Sequence, residues 1–176
     1  MLIVTSKKLV TYDFSSVQFD LPKTLANKVI QWGKNKISDD DLYKEEEKFG
    51  QENEIHVTVK YGLHTNDPRK VQKIVDGFGP FQIQLGKISR FVPKDKDFDV
   101  VKIEINSDKL SELHRMIGKL PNSDEHPVYN AHCTIAYVKS GCCSDLSGNS
   151  DLAGNSAMVS QLTFSATTGK KTEVPL

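Results

Sequence analysis

The sequence predicts an α+β protein of two similar lobes, each a mainly antiparallel sheet with helices packed outside, and a central cleft between the lobes. Two observations lead to this prediction. Helical and strand-like segments follow one another with short connections along the 176 residues. The pattern His-x-Thr-apolar-x-Tyr also occurs once in each half, at 56–61 (HVTVKY) and 132–137 (HCTIAY). Because each copy follows a helical segment, the halves are predicted to be pseudo-symmetric parts of one domain spanning 1–176.

The elements of the first half follow from periodicity and from helix start signals. Alternating or β-branched runs predict strands, whereas apolar residues recurring on one helical face, or an Asn/Asp cap followed by proline, predict helices. The acidic segment between the first helix and the second strand is predicted to be a solvated loop or a frayed helix. The predicted elements are a strand at 15–22, a helix at 23–37, the acidic segment at 38–54, a strand at 54–63 and a helix at 66–79.

The second half repeats this alternation and then ends in a strand pair. Ser107 or Asp108 is predicted to cap its helix, and Gly169 is predicted to lie in the closing turn. A stretch rich in Gly, Ser, Asn and Asp is predicted to be a long loop that is mobile near the site. The predicted elements are strands at 81–93 and 97–105, a helix at 107–120, a strand at 129–138, the loop at 140–156 and a strand pair within 158–176.

Composition excludes several classes of protein. The chain has 23 basic and 23 acidic residues, which does not favour a protein that binds nucleic acid through a strongly basic surface. The first 14 residues do not have the order of a signal peptide, and no apolar run approaches the roughly 20 residues that span a bilayer. The three cysteines have no zinc-ligand spacing and are expected to be reduced. We therefore expect a cytoplasmic protein, without a membrane anchor and monomeric.

Strand alternation gives the repeated pattern a chemical meaning. Side chains point to opposite faces of a strand in turn, so each copy is predicted to have a polar face with its histidine and threonine and a buried face with its tyrosine. The residues concerned are His56, Thr58 and Tyr61 in the first copy and His132, Thr134 and Tyr137 in the second.

Two histidines and two threonines that face one cleft suit the cleavage of a phosphodiester. Histidine can accept or donate a proton near neutral pH, so His56 and His132 can act as base and acid in one reaction. The hydroxyl groups of Thr58 and Thr134 can hold the non-bridging phosphate oxygens in the transition state. This chemistry needs no metal and no cofactor. A metal site with His64 as a further ligand, and two ordinary strands with satisfied histidines, remain as alternatives.

The paired motifs resemble those of the 2H phosphoesterase superfamily, which includes the 2′-5′ RNA ligase-like and LigT-like proteins and the cyclic phosphodiesterases. The resemblance extends from the opening strand and helix through both motifs. It implies a bilobal fold in which His56 and His132 are the catalytic pair and Thr58 and Thr134 bind phosphate. It also implies nucleotide or oligonucleotide substrates, namely 2′,3′-cyclic phosphates, 2′-5′-linked oligonucleotides or cyclic oligonucleotide signals.

Further residues are candidates for substrate contacts. Lys60 shares the strand face of His56, where it either adds positive charge to the cleft or lies beyond the cleft edge in water. Tyr129 and Phe91 are candidates for stacking on a base. His114 is predicted to be a surface or packing residue, and His64 and His126 are predicted to be exposed.

Three other functions remain open at this stage. The same groups serve RNA end-healing or 2′-5′ ligation, because that is the reverse reaction. A phage-type enzyme that degrades cyclic nucleotide alarm signals and a nucleotide-binding module without turnover are further alternatives. The sequence alone leaves open which histidine is the base and which is the acid.

Overall fold

A computed structural model of the chain describes residues 11–46, 48–126 and 128–176. Most of the first 14 residues, to which the signal-peptide prediction applies, lies outside these ranges. The three helices are α1 (Lys23–Lys36), α2 (Pro68–Val75) and α3 (Asp108–Ile117). The eight strands are β1 (Ser15–Asp20), β2 (His56–Leu63), β3 (Phe81–Phe91), β4 (Phe98–Asn106), β5 (His132–Lys139), β6 (Ser156–Val159), β7 (Gln161–Ser165) and β8 (Lys171–Pro175).

The strands form one antiparallel sheet in which each half of the order repeats the other. The order is β6-β3-β4-β5-β2-β1-β7-β8, so the two motif strands β5 and β2 are central neighbours. One lobe consists of β5, β4, β3 and β6, and the other consists of β2, β1, β7 and β8. Helix α1 packs against β5, whereas α3 packs against β2 and α2 packs against α3 and β8. The predicted α+β fold with two pseudo-symmetric lobes is confirmed.

Helices α2 and α3 begin where the sequence places cap signals. The Asp67 side chain accepts a hydrogen bond from the Arg69 amide at the start of α2. Pro68 occupies the first turn, where the N–H group that proline lacks would have no partner within the helix. The Ser107 side chain caps α3 by accepting from the Leu110 amide, which decides between the two predicted caps. Amphipathic faces then bury Leu25, Val29 and other apolar residues of the helices against the sheet.

The two lobes join through a short seam between β2 and β5. The registered pair at this seam is Val57 opposite Cys133, and both side chains are fully buried. Beyond this pair the strands separate, and other segments cover their freed edges. The lobes therefore share one continuous core at the seam. A cleft opens between them where β2 and β5 separate.

Two polar segments are more ordered than the sequence predicts. The acidic segment 38–54 contains a 3₁₀ turn at Asp39–Asp41, and its end lies along β5 through a bridge between Gln51 and Ala136. The loop 140–156 returns along β3, where the Gly148 amide donates to the Ile88 carbonyl and the Gly154 amide donates to the Leu85 carbonyl. No residue of this loop lines the pocket at the motif strands that is described below, and its mobility near the site stays a prediction.

Two further expectations concern membranes and cysteines. Within the described ranges, the helices are too short and too polar to cross a membrane. Cys133, Cys142 and Cys143 are free thiols, and Cys133 is buried in the seam. Burial raises the pKa of the Cys133 thiol, so this residue stays protonated and acts as a small apolar side chain.

Helix α1 lies close against β5 at Gly33. A Cβ atom at this position would lie 2.6 Å from Gln51 Nε2 and 2.8 Å from Ile135 Cγ2. Although alanine is the better helix former, we expect Gly33→Ala to lower the free energy of unfolding by about 1–3 kcal/mol because the site is overpacked. Urea unfolding measures this change, and Lys34→Ala on the exposed side of the same helix is the control. A Gly33→Ala protein as stable as that control would contradict the close contact.

Candidate active site

The seam brings the two motifs together on one face of the sheet. Because β2 and β5 are antiparallel and Val57 faces Cys133, one residue further in each direction His56 lies opposite Thr134 and Thr58 lies opposite His132. The four side chains are half-buried, whereas Val57 and Cys133 between them are fully buried. The predicted separation into a polar face and a core face therefore holds for the first three residues of each motif.

Both histidine rings are held by the same local hydrogen bond. Nδ1 of His56 lies 2.9 Å from the carbonyl oxygen of Glu54, and Nδ1 of His132 lies 2.7 Å from that of Asn130. A carbonyl can only accept, so Nδ1 carries a proton in each ring. Nε2 is then the nitrogen that remains available for proton transfer, and its protonation distinguishes a base from an acid.

A bulge follows the threonine in each motif strand. Along β1, Val17 and Gln18 are consecutive, yet they pair with Lys60 and Thr58, which makes Val59 an extra residue in β2. Along β4, Val101 and Lys102 likewise pair with Ala136 and Thr134, which makes Ile135 the extra residue in β5. An extra residue of this kind shifts the alternation of every side chain that follows it.

The bulges overturn the prediction that both tyrosines belong to core faces. Tyr61 is 46% exposed, and both Tyr61 and Tyr137 line the same pocket as Thr58 and Thr134. Tyr137 is half-buried against the rings of Phe49 and Phe98. The tyrosine at the same offset in both copies was the available signal, but strict alternation assigned it to the wrong face.

A pocket of about 390 Å³, which we call the first pocket, is lined by the two threonines and the two tyrosines of the motifs: Thr58, Tyr61, Thr134 and Tyr137. His132 also lines it, whereas His56 does not and lies beyond its edge. Phe91 and Val128 are 52% and 66% exposed and form part of its wall. The first pocket thus combines polar groups at the seam with an apolar rim.

Lys60 lines the first pocket rather than lying in water, but its charge is not free there. The bulge turns its side chain into the protein, where its Nζ donates to Asp124 Oδ2 at 2.8 Å. The side chains are only 7% and 9% exposed. Burial acts to raise the pKa of Asp124, but the hydrogen bond from Lys60 and other nearby groups outweigh it, and the net shift of the pKa is downward. The charge of Lys60 is therefore compensated inside the fold.

Lys102 is the cation that the sequence reasoning missed. It lies opposite Thr134 on β4 and lines the first pocket beside His132. Within the described residues it forms no ion pair at 4 Å or less, in contrast to Lys60. Its position could be predicted only from the pairing of β4 with β5, which no local pattern of residues specifies.

Tyr129 and His114 fill the space beside β2 that opens where β2 and β5 separate. The Tyr129 hydroxyl donates to the Thr58 carbonyl at 2.9 Å, and Nδ1 of His114 donates to the Val59 carbonyl at 2.7 Å. The two rings stack with centroids 4.1 Å apart. One face of the Tyr129 ring is thus already covered, and His114 is a packing residue, as predicted, with an additional role in holding the bulge.

Different groups cover the equivalent edge of β5. Gln51 Nε2 donates to the Ile135 carbonyl at 3.1 Å, and the Glu52 amide donates to the same oxygen at 2.9 Å. Burial raises the pKa of the Glu52 carboxyl, and the charge of the nearby His56 opposes this shift. The two histidines therefore have different neighbours despite the pseudo-symmetry of the strands.

The surroundings of His132 disfavour its charged form. Burial is the main cause that lowers the pKa of His132, and the positive charges of Lys102, His56 and His126 add to it, although the Asn130 carbonyl opposes them. His132 thus remains neutral at pH values at which a free histidine is already partly protonated.

The remaining histidines differ from one another. His126 is exposed and borders the first pocket. His64 is exposed, as predicted, and stacks on Phe14, with its Nε2 2.6 Å from the Ser123 hydroxyl. In the parts of the chain that the structure describes, no three His, Cys, Asp or Glu side chains form a cluster that could hold a metal ion.

Comparison with known proteins identifies the class of fold and then the family. The crystal structure of E. coli LigT with phosphate has a TM-score of 0.61 at 15% identity, covering 96% of each chain. Kluyveromyces marxianus Usb1 with uridine monophosphate has a TM-score of 0.59 at 12% identity, covering 93% of this chain and 99% of that one. E. coli LigT with 3′-AMP has a TM-score of 0.58 at 16% identity, covering 93% and 94%. No curated protein matches the chain in sequence.

The fold is that of the 2H phosphoesterases, as the paired motifs indicate. The family model of the 2′-5′ RNA ligase superfamily matches residues 39–143, which is more than half of the chain. The chain belongs to the 2′-5′ RNA ligase superfamily. Membership supports a phosphodiesterase or RNA-processing activity in general terms.

The two lysines of the cleft offer a test of the assigned contacts. We expect Lys60→Met to lower the free energy of unfolding by about 3–5 kcal/mol because it removes the cation that compensates the buried charge of Asp124. Lys102→Met, which removes a cation that has no ion pair, is the matched control and should change stability by only about 0.5 kcal/mol. The double variant Lys60→Met/Asp124→Asn should recover part of the loss. Equal stability of the two single variants in urea unfolding would contradict the buried ion pair.

Proposed function

We propose that the protein is a phosphodiesterase that cleaves a 2′-linked or cyclic nucleotide phosphodiester by acid–base catalysis with two histidines and without a metal. One observation carries this proposal. His56 and His132 lie on one face of the seam, and each donates from Nδ1 to the carbonyl two residues earlier. Both rings thus present Nε2 as the reactive nitrogen next to a threonine hydroxyl, which is the arrangement that proton transfer on either side of a phosphate needs.

The difference between the two environments supports an assignment of roles. His132, whose burial favours the neutral ring, is suited to accept the proton of the attacking water or hydroxyl group. His56, the other histidine at the seam, is then the group that donates a proton to the departing oxygen. The new bond between phosphorus and oxygen forms as the bond to the leaving oxygen breaks, so one proton is taken up and one is released.

The remaining polar groups of the seam suit the charge of the phosphate. Thr58 and Thr134 can donate to the two non-bridging oxygens as negative charge increases in the transition state. Lys102 lies beside them as a positive charge without an ion-pair partner among the described residues, and it suits the same oxygens. Lys60 is less suited to this role, because Asp124 already compensates it.

The apolar rim of the first pocket suits the base of a nucleotide. Tyr61 and Phe91 offer exposed ring faces next to the threonines, and stacking on an aromatic ring tolerates any base. The complexes of LigT with 3′-AMP and of Usb1 with uridine monophosphate support a nucleotide ligand for this fold. Tyr129 is better suited to positioning β2 than to stacking, since His114 covers one of its faces.

The proposal is tested with a panel of substrates in the presence of EDTA. The panel contains 2′,3′-cyclic mononucleotides, 2′-5′-linked oligoadenylate and cyclic di- and trinucleotides, and chromatography identifies the products. We expect turnover of at least one substrate, and a loss of about 10²- to 10⁴-fold in kcat/KM for His56→Ala and for His132→Ala. Thr58→Val and Thr134→Val should each cost about 10²-fold.

His64→Ala, which alters an exposed histidine away from the seam, is the control for these variants. Unfolding midpoints of all variants separate lost catalysis from lost structure. Full activity of His56→Ala or His132→Ala on a substrate that the parent cleaves would overturn the mechanism. Tight nucleotide binding without any product would favour a binding module instead.

The dependence of kcat/KM on pH tests the assignment of His132 as the base. A base must be neutral, so activity is lost as the pH falls through the pKa of His132, which lies below the ordinary value of 6.5. Burial causes most of this shift and Lys102 causes part of it. We expect Lys102→Met to move the acidic limb to higher pH, because removing the positive charge raises the pKa of His132. Lys87→Met, at an exposed position of β3, is the control and should leave the limb in place. An acidic limb that does not move in Lys102→Met would contradict the assignment.

A further inference from the structure

Tyr137 is a polar side chain of the first pocket to which the mechanism above assigns no role. It follows Thr134 in the second motif, and the bulge between them leaves both side chains at the wall of the pocket. In the register with β4, Thr134 lies opposite Lys102 and Tyr137 lies opposite Val100. Lys102 and Val100 are two residues apart on one strand. The Tyr137 side chain therefore begins about 7 Å along the sheet from Thr134.

Contacts of both its ring and its backbone hold Tyr137 in place. The ring lies edge-to-face against Phe49, with centroids 5.0 Å apart, and against Phe98, with centroids 5.5 Å apart. The backbone amide donates to the Gly50 carbonyl at 2.9 Å, and the backbone carbonyl accepts from the Tyr43 amide at 3.0 Å. Because these contacts already fix the side chain, little conformational entropy is lost when its hydroxyl binds a ligand.

The hydroxyl of Tyr137 has no hydrogen-bond partner among the described residues. Two other tyrosines differ in this respect, since the Tyr43 hydroxyl donates to Glu45 and the Tyr129 hydroxyl donates to the Thr58 carbonyl, both at 2.9 Å. Tyr137 is half-buried and lines the first pocket. Polar groups in such surroundings are nearly always satisfied, so the partner of this hydroxyl is a water molecule or a ligand in the pocket.

The surroundings of Tyr137 keep its hydroxyl protonated, so that it can donate. Burial raises the pKa of Tyr137, and the negative charge of Glu52 adds to this shift. Burial also raises the pKa of the Glu52 carboxyl, which disfavours the charged form of this neighbour. A hydrogen bond from a neutral donor to a charged oxygen is about twice as strong as one between two neutral groups.

The groups next to Tyr137 on this wall of the pocket indicate what it binds. Thr134 offers a hydroxyl, and Lys102 offers an ammonium group that forms no ion pair within the described residues. Val100, which faces Tyr137 in the register, has no polar side-chain atom that could compete for the hydroxyl. Three possible donors on one wall suit an anionic oxygen, which only accepts hydrogen bonds.

We propose that the Tyr137 hydroxyl is a further donor to the phosphate and that it binds the non-bridging oxygen that Thr134 also holds. This inference rests on the proposed function. The negative charge on that oxygen increases in the transition state, so the hydrogen bond becomes stronger there and contributes to the rate. Tyr61, at the same offset in the first motif, differs because it is 46% exposed and its ring packs against Phe14. The two sides of the phosphate are thus bound by different sets of groups.

Tyr137→Phe tests this inference, because it removes the hydroxyl and keeps the aromatic contacts. Tyr43→Phe is the matched control, since Tyr43 packs against the same two phenylalanines but lies outside the pocket. For a phosphodiester that the parent cleaves, we expect Tyr137→Phe to lose about 10- to 100-fold in kcat/KM. Tyr43→Phe should stay within about twofold of the parent. Unfolding midpoints of both variants verify that the fold is retained.

Binding measurements separate the phosphate from the nucleoside. In titrations with inorganic phosphate and with adenosine, we expect Tyr137→Phe to lower the affinity for phosphate by about tenfold and to leave that for adenosine unchanged. Double variants then identify the oxygen. Tyr137→Phe combined with Thr134→Val should cost less than the sum of the single losses in kcat/KM, because both side chains act on one oxygen. With Thr58→Val the losses should add.

Three outcomes would contradict the assignment of Tyr137. Equal activity and equal phosphate affinity of the two tyrosine variants would overturn it while the proposed function stands. A loss of affinity for adenosine instead of phosphate would place the hydroxyl at the nucleoside, and additive losses with both threonines would overturn the shared oxygen. If the parent cleaves no phosphodiester, the proposed function is overturned, and the phosphate titration alone decides whether Tyr137 contacts the anion.

Discussion

The pairing of β2 with β5 at Val57 and Cys133 is the contact on which the rest of the molecule depends. It joins the two lobes into one sheet and fixes a register that brings both His-x-Thr motifs to one face. Because side chains alternate along a strand, a slip of one motif strand by one residue would place its histidine and threonine in the core and its apolar residues in the cleft. Burial of the central pair opposes such a slip, since Val57 and Cys133 are both fully buried and burial of apolar surface stabilises the fold.

The strands must also separate beyond the seam, and this separation leaves backbone carbonyls that need partners. The two sides meet this need with different groups. On β2, the side chains of Tyr129 and His114 donate to consecutive carbonyls. On β5, Gln51 and the Glu52 amide donate to one carbonyl. The chain thus repeats the motif but not the groups that donate to the freed carbonyls beside it. Two chemically identical histidines therefore have different environments. This difference gives a direction to the reaction that we propose.

The sequence was sufficient for the fold class, most of the elements and the pairing of the motifs, because these depend on short-range patterns. The alternation of apolar and polar residues in strands, the helix caps and the repetition of the His56 motif at His132 can all be read from the sequence. It was insufficient for the residues after the bulges, since an extra residue in a strand depends on the neighbouring strand and leaves no local mark. Tyr61 was therefore assigned to the core, and the burial of Lys60 in an ion pair at the pocket was not predicted. Lys102 was missed for a related reason, because only the pairing of β4 with β5 places it beside His132.

The balance of charge limits the kind of substrate that the cleft can attract. With 23 basic and 23 acidic residues, the chain has no net field to draw in a long polyanion. Screening at physiological ionic strength limits exposed charges to a range of about 8 Å. Asp124 neutralises Lys60, which leaves Lys102 as the lysine of the cleft that has no ion pair in the described chain. One such cation is suited to a single phosphate, so close contacts rather than long-range attraction must select the ligand.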